Sequence, residues 1–422
     1  MQQIHSDSSI AHAQSEQQRK SRRLASTPWR ICAACLVGLA VAVHYTDYGS
    51  LIPVMLTDLH IEASQAGLMS TMLFLGLAIT YVPGGMLVDR YGQQPVLLGA
   101  TLLMALGGVI LPLWPNIYWI LACRTLIGFG SGAAFIAAAG LVATVEKQTA
   151  LAQGLYGGFI QIGSGLGLLV TPALVDLAGW QWAFLSWGLL SVPAVLVWFF
   201  LQDEEPARSA KQADIGAGLR SPAVWSLGLS HMGTFGVGNA ISAWIAVYLV
   251  HQYGLPLGMA ATFGAGGLIL GALIRPLGGI LLGQKICAAA VLLRTGTILT
   301  CLGVGLLALP LHLPLLALLG MAAVAIGSTL PYTSVYDNAA QLRTVSKGMA
   351  QGLISVIACQ PILWGPPLIG LLFQSTGNFS LPFGSMLFFC AIAINASLLA
   401  GTTLKHEKRR ETRGILSREK KR

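Results

Sequence analysis

Charged residues are scarce in this chain. Of its 422 residues only 10% are charged and 55% are hydrophobic, whereas soluble domains contain about 25% charged and roughly 45–50% apolar residues. A water-soluble fold cannot bury that much apolar surface, so the composition excludes a soluble protein.

Familiar enzyme motifs are absent as well. The apolar runs contain no His-Glu-x-x-His pair and no Gly-x-Ser-x-Gly elbow, and no nucleotide-binding loop occurs, which argues against an intramembrane enzyme or an ATP-driven pump. The seven cysteines are scattered, and only Cys32 and Cys35 lie close together. We expect them to be packing residues, and we expect neither a metal site nor a cofactor.

Long hydrophobic runs fill most of the sequence. About 20 apolar residues at a rise of about 1.5 Å span a hydrocarbon core, and backbone groups cannot stay unpaired in lipid, so such runs must be helices. Twelve runs predict an all-α membrane protein with twelve transmembrane helices; they lie near 31–56, 66–88, 95–113, 117–144, 150–172, 182–201, 224–252, 258–283, 286–308, 314–340, 346–373 and 381–404.

Lysine and arginine are missing from every second loop. The loops after the odd-numbered runs have none, while both ends of the chain and the remaining loops are basic. The positive-inside rule then predicts cytoplasmic termini in a multi-pass protein of the cell membrane, with a bacterial inner membrane favoured by the Ala, Gly and Leu content. The net charge of +9 indicates contact with anionic lipid, and not with nucleic acid.

One polar stretch divides the chain into two halves. The predicted parts are a basic tail (1–29), a six-helix bundle (30–201), a cytoplasmic linker (202–223), a second six-helix bundle (224–404) and a second basic tail (405–422). The halves share short sequences at matching helices: Ala-Gln-Gly-Leu begins at Ala152 and at Ala350, and a Gly-Gly pair begins at Gly84 and at Gly278. Repeated halves of this kind place a substrate site between them near the bilayer midplane.

A loop of charge and glycine follows the second run. Gly85, Leu87, Asp89, Arg90 and Gly92 resemble the cytoplasmic motif between helices 2 and 3 of the major facilitator superfamily, although glutamines replace its final basic pair. The resemblance implies the major facilitator fold, with two pseudo-symmetric bundles that rock around a central site. It also implies an inner gate at Gly85, Asp89, Arg90 and Gly92, where the carboxylate faces a helix terminus of the other half.

Charges inside the runs are functional candidates, because each costs a few kcal/mol to insert. Asp47 lies about nine residues and Arg124 about seven residues from the same predicted membrane face, or roughly 13 and 10 Å at helical rise, so the two could meet. Arg124 with its following glycines is similar to a superfamily motif linked to proton coupling. A pair that separates during rocking would act as a proton switch, with His44 as an alternative or relay site; a fixed structural ion pair is the competing interpretation.

Arg275 opens a second informative segment, Arg275-Pro276 followed by the Gly-Gly pair. This segment resembles the surroundings of a substrate-binding arginine in the nitrate/nitrite porter branch, which implies an anion site; a helix-end charge is the alternative. The branch has a second arginine where this chain has Tyr81, a departure that argues against strict nitrate selectivity.

Polar and aromatic residues near mid-helix complete the predicted substrate site, although each of them alone is more typical of helix packing. They are Tyr45, Tyr48, Gln161, Asn239, Tyr332, Tyr336 and Gln360.

The sequence therefore predicts a monomeric secondary transporter that moves a small anion together with protons. The helix 5 pattern typical of antiporters is missing, because Leu168 follows Gly167, and this favours symport or uniport. A proton-driven drug or metabolite exporter is the alternative within the class. A sensor or scaffold is disfavoured, because the short tails carry no soluble signalling domain.

Overall fold

The described structure contains twelve helices that are long and apolar enough to cross a membrane. The computed structural model describes residues 28–143, 149–200, 215–342 and 345–419. The helices are α1 (Pro28–Asp58), α2 (Ala63–Tyr91), α3 (Gln93–Leu113), α4 (Ile117–Val142), α5 (Thr149–Ala178), α6 (Trp180–Phe199), α7 (Pro222–Tyr253), α8 (Leu257–Gly283), α9 (Ala289–Ala308), α10 (Pro314–Gln341), α11 (Lys347–Thr376) and α12 (Ser380–Thr403). The prediction of an all-α protein with twelve membrane helices is confirmed.

The helix ends follow ordinary capping chemistry. Asn116 caps α4 by accepting from the Tyr118 N–H at 2.9 Å, and Ser221 accepts from the Val224 N–H at 3.4 Å at the start of α7. Gly92 separates α2 from α3 with φ of 86°, a backbone conformation that favours glycine, so the chain reverses there within one residue. The tail before residue 28, linker residues 202–214 and residues 420–422 lie outside the described residues. A short helix at Ile215–Leu219 precedes α7, and the last helical segment of α12 continues to Glu419.

Glycines on α4 and α5 allow close helix packing. A Cβ atom on Gly128 or Gly132 would collide with α2 at the carbonyl of Leu73 or of Leu77. Gly163 and Gly167 face α1 in the same manner. Since the hydrophobic effect does not drive helices together in lipid, this close backbone approach supplies much of the packing energy.

The repeated sequences of the two halves form the same contact twice. On α5, a Cβ at Gly154 would lie 2.9 Å from the Arg275 carbonyl of α8; on α11, a Cβ at Gly352 would lie 2.8 Å from the Tyr81 carbonyl of α2. These contacts lie at the face of the bundle that holds residues 28 and 403, which we call the terminal face. α2 and α11 also meet at the other face, where Gly67 packs on the Pro366 carbonyl.

Four helices depart from α-helical geometry near the centre of the described bundle. α1 unwinds at Asp47 and continues as a 3₁₀ turn at Gly49–Leu51. α7 contains a π-helical turn at Met232–Gly236, α10 is interrupted between Thr329 and Tyr332, and α11 is interrupted at Cys359. Irregular backbone at membrane depth is tolerated only where protein surrounds it or a cavity adjoins it. The four breaks therefore identify the centre of the bundle as the candidate functional region.

The glycine contact between α4 and α2 can be tested by adding one methyl group. Gly128→Ala should lower stability by about 1–3 kcal/mol, because the new Cβ meets a backbone carbonyl that has little room to move. Gly140→Ala on the same helix is the matched control, since a Cβ there has no neighbour within 4 Å. Thermal unfolding midpoints in detergent measure both, and equal midpoints for the two variants would contradict the packing argument.

Candidate functional site

A buried ion pair lies at the break in α1. The Arg124 Nη1 donates to Asp47 Oδ1 at 2.6 Å, and both side chains are 0% exposed. Arg124 also donates through Nη2 to the His44 carbonyl at 2.8 Å and through Nε to the Met69 carbonyl at 3.2 Å. The unwinding of α1 thus provides backbone and side-chain oxygens for one guanidinium, which satisfies most of its donors.

His44 completes this ion-pair cluster, which consists of His44, Asp47, Tyr48 and Arg124. Its Nδ1 lies 3.1 Å from Asp47 Oδ2, while its buried Nε2 has no hydrogen-bond partner. The Arg124 guanidinium lies 5.2 Å from the centre of the Tyr48 ring. The structure therefore brings together the three residues that the sequence analysis linked to protons, and it places Tyr48 with them and not at Arg275, where the sequence analysis expected it.

Arg275 is buried without a carboxylate. It is 1% exposed, its Nη1 donates to the Gly157 carbonyl at 2.8 Å, and its guanidinium lies 4.2 Å from the centre of the Tyr332 ring. Its Nε has no hydrogen-bond partner, and none of the described carboxylates forms an ion pair with it. The carbonyl dipole and the ring face compensate the positive charge only in part.

Gly157 makes this arrangement fit. A Cβ at this position would lie 2.6 Å from the Tyr332 ring and 2.9 Å from Arg275 Cδ. Any larger residue would therefore push the guanidinium away from the carbonyl that it contacts. Gly157 is not among the predicted site residues, although the Gly157-Gly158 pair next to Tyr156 is a visible signal in the sequence.

Aromatic side chains from several helices surround Arg275. Tyr332 and Tyr336 of α10 lie with ring centres 4.7 Å apart, and Tyr45 of α1 lies 4.8 Å from Phe74 of α2. We call the resulting group the central cage; it consists of Tyr45, Phe74, His231, Phe235, Arg275, Tyr332 and Tyr336. Of the predicted substrate residues, Arg275, Tyr45, Tyr332 and Tyr336 meet here.

His231 is the cage member that the sequence analysis missed. It is 0% exposed, stacks on Phe235 with ring centres 5.2 Å apart, and lies 5.5 Å from the Tyr336 ring. The π-helical turn that follows it carries both His231 and Phe235 into the cage. An ionisable residue inside a membrane run was the available signal, and the rule applied to Asp47 and Arg124 covers it equally.

The other predicted substrate residues lie elsewhere. Gln161 lines a separate cavity between α5, α7, α8, α9 and α10, together with Ser242 and Ser328. Asn239 donates to the Phe235 carbonyl and Gln360 to the Val356 carbonyl, one turn back on their own helices. Gln360 also accepts from Trp364, whose side chain is 65% exposed, so Gln360 is drawn toward the surface of the bundle. Their role in substrate binding stays a prediction.

The four predicted gate residues lie at the terminal face. A Cβ at Gly85 would be 2.8 Å from the Gly348 carbonyl, and the Asp89 side chain interacts with that of Ser346, which caps the first helical segment of α11. Arg90 is exposed and lies 5.1 Å from the Tyr91 ring centre, and Gly92 ends α2. The carboxylate thus faces a helix terminus across the halves; whether the contact opens stays a prediction.

Fold and site together define a class: a multi-pass α-helical membrane protein whose buried centre contains charged side chains from both halves. The family model of the Major Facilitator Superfamily matches residues 31–359, and the chain belongs to this superfamily. It is accordingly a transporter of small solutes and not an enzyme.

Individual relatives agree with this assignment. The chain is 25% identical over 348 residues to the nitrite extrusion protein of Bacillus subtilis, covering 79% of this chain and 84% of that protein. It is 28% identical over 225 residues to the probable chloroplastic anion transporter 6 of Arabidopsis thaliana, an alignment that spans 47% of this chain and only 43% of the plant protein. The chain is also similar in structure to a bacterial homolog of the human lysosomal transporter Spinster, whose crystal structure is inward-facing and occupied. The TM-score is 0.70 at 17% identity, and the match covers 90% of this chain and 98% of that one. This likeness concerns the fold alone.

The ion-pair cluster makes a prediction about stability. Arg124→Leu should cost about 3–5 kcal/mol, because it leaves the Asp47 carboxylate buried without its cation. Adding Asp47→Asn should raise the unfolding midpoint again by removing that unpaired charge. Arg294→Leu, at an exposed arginine of α9, is the control in thermal unfolding, and an Arg124→Leu protein as stable as this control would contradict the arrangement.

Proposed function

We propose that the chain is a secondary active transporter that moves a small anion across the cell membrane by alternating access, coupled to protons. In this proposal the anion binds at Arg275 in the central cage, protons bind in the ion-pair cluster, and both termini lie on the cytoplasmic side. One observation carries the proposal, namely that the charge of Arg275 is buried and has no carboxylate partner among the described residues.

The two central arginines, Arg124 and Arg275, differ in the groups that compensate their charge. Arg124 has a carboxylate at 2.6 Å, whereas Arg275 has a carbonyl at 2.8 Å and the face of Tyr332. Burying a charge without a partner is costly, so such a charge in a transporter is expected to meet a mobile counter-ion. A guanidinium suits this role because it stays charged and offers a planar fork to nitrate-like or carboxylate groups.

The names of the relatives support an anionic substrate and leave its identity open. One is named for nitrite and another is named an anion transporter. In this chain the position equivalent to Arg275 in the first half is Tyr81, whose ring lies 5.8 Å from that of Phe135. A site with one arginine is suited to a single negative charge, so we propose a monoanion.

The position of the ion-pair cluster on α1 supports proton coupling. His44 belongs to that cluster and Tyr45, the next residue, belongs to the central cage. A shift of α1 when the anion binds would therefore be felt at Asp47. If Asp47 parts from Arg124 during this shift, its carboxylate loses the charge that favours ionisation and takes up a proton.

Alternating access requires that the halves separate at one face at a time. Backbone contacts at Gly85 and Gly154 close the terminal face, and the contact at Gly67 closes the other. Glycine contacts can slide or part without unpacking large side chains. The Asp89–Ser346 interaction is the proposed latch of the terminal face.

Arg275→Gln should weaken anion binding by about 10- to 150-fold, the equivalent of losing a charged hydrogen bond worth about 1.5–3 kcal/mol. Arg275→Lys should recover part of the affinity, since it restores the charge without the fork. Titration calorimetry of purified protein with nitrite, nitrate and small carboxylates measures this. Arg294→Gln is the matched control, and equal anion affinity in Arg275→Gln and Arg294→Gln would refute the proposed site.

Asp47→Asn should abolish proton-driven uphill accumulation while leaving exchange of anion for anion intact, because the amide cannot take up a proton. Proteoliposomes with an imposed pH gradient measure the first activity, and counterflow without a gradient measures the second. Asp58→Asn, at an exposed carboxylate near the end of the same helix, serves as control. Full uphill transport by Asp47→Asn would remove Asp47 from the coupling mechanism.

A further inference from the structure

Four of the buried polar atoms that have no hydrogen-bond partner belong to the central cage. Arg275 Nε, Tyr332 Oη, Tyr45 Oη and His231 Nε2 are all buried and make no hydrogen bond. They come from four different helices. The Tyr332 ring connects two of them, since its centre lies 4.2 Å from the Arg275 guanidinium and 6.2 Å from the centre of the His231 ring. Buried polar groups normally have partners, so a cluster of unpartnered ones indicates a place where a ligand makes the missing bonds.

The chemistry of the His231 atom follows from its neighbours. His231 Nδ1 lies 3.3 Å from the Thr234 hydroxyl oxygen, and that hydroxyl donates its single proton to the backbone, to the His231 carbonyl at 3.2 Å or the Ser230 carbonyl at 3.4 Å. A Thr234 hydroxyl whose proton points to the backbone is left to accept, and on this basis we assign the N–H of a neutral ring to Nδ1. The neutral ring suits a position that shares the Tyr332 ring with a guanidinium, because like charges repel at short range.

His231 Nε2 is then a hydrogen-bond acceptor that faces the cage. Arg275 can only donate, and the tyrosine hydroxyls can do either. Stacking on Phe235 fixes the plane of the imidazole ring, and the π-helical turn fixes Phe235 relative to it. The cage thus offers donors for an anionic group and, at a separate point, an acceptor that an anionic group would repel.

We propose that His231 Nε2 accepts a hydrogen bond from the transported anion, so that the substrate is a monoanion carrying a hydroxyl or N–H group in addition to its charged group. This inference rests on the proposed function, since it concerns the same site. The preferred substrates are then hydroxy-substituted or N–H-bearing carboxylates. Simple anions without a donor, such as nitrite or nitrate, would bind less well because Nε2 would remain unpaired.

Matched ligand pairs test the proposal on the intact protein. Glycolate and acetate, and 4-hydroxybenzoate and benzoate, differ in each pair by one hydroxyl donor. The purified protein should bind the preferred hydroxylated partner about tenfold more tightly, since leaving a buried acceptor unpaired costs about 1–3 kcal/mol. Titration calorimetry measures the ratio directly.

Variants assign the preference to the histidine. His231→Phe keeps a stacking ring but removes the acceptor, so the preference should fall to about unity while Arg275-dependent binding persists. Thr234→Val releases the Nδ1 proton from its acceptor and should also reduce the preference, whereas Thr234→Ser should retain it. His251→Phe, at an exposed histidine on the same helix, is the matched control.

The experimental outcomes distinguish a failure of this inference from a failure of the proposed function. If anions bind in an Arg275-dependent manner but neither ligand pair is discriminated, or if His231→Phe keeps the preference, the inference is overturned and the anion site stands. If no anion binds, or binding ignores Arg275→Gln, the proposed function itself is overturned. Should His231→Phe fail to fold, the wild-type ratios and the Thr234 pair still decide.

Discussion

A guanidinium buried in an apolar helical bundle needs a negative charge within reach, and the two central arginines meet this need differently. Arg124 is neutralised within the chain by Asp47 and held by backbone carbonyls of α1 and α2. Arg275 has one carbonyl and an aromatic face. This contrast divides the centre into a cluster that is neutral by itself and a cage that we propose becomes neutral when an anion enters, and it gives proton and solute separate places to bind.

Helix packing allows such a centre to be opened. The contacts of Gly154 with α8 and Gly352 with α2 are equivalent contacts in the two halves, made by the same repeated sequence. Because each contact involves backbone and not interlocked side chains, separating the helices leaves no large cavity. The Gly154 contact adjoins Arg275 and the Gly352 contact adjoins Tyr81, so the two halves share the packing but differ in the side chain beside it.

The sequence predicted features that depend on the distance of a residue from the membrane face better than features that depend on the direction of its side chain. Apolar run length located the twelve helices, and depth from one membrane face was enough to pair Asp47 with Arg124. Direction was harder: Tyr45 and Tyr48 are three residues apart, yet the unwinding of α1 sends Tyr48 to the ion-pair cluster and Tyr45 to the cage. Asn239 and Gln360 were predicted as substrate residues from their polarity; each bonds a carbonyl on its own helix, and their role in substrate binding stays a prediction. The π-helical turn after His231 has no pattern that hydropathy detects.

The most direct measurement is anomalous diffraction from crystals grown with a bromine-substituted hydroxybenzoate. The account predicts a bromine peak within the central cage, with the carboxylate beside the Arg275 guanidinium, and no such peak in crystals of the Arg275→Gln protein. A structure in which Arg275 pairs with a carboxylate of the chain itself, while the bromine lies outside the cage, would contradict it.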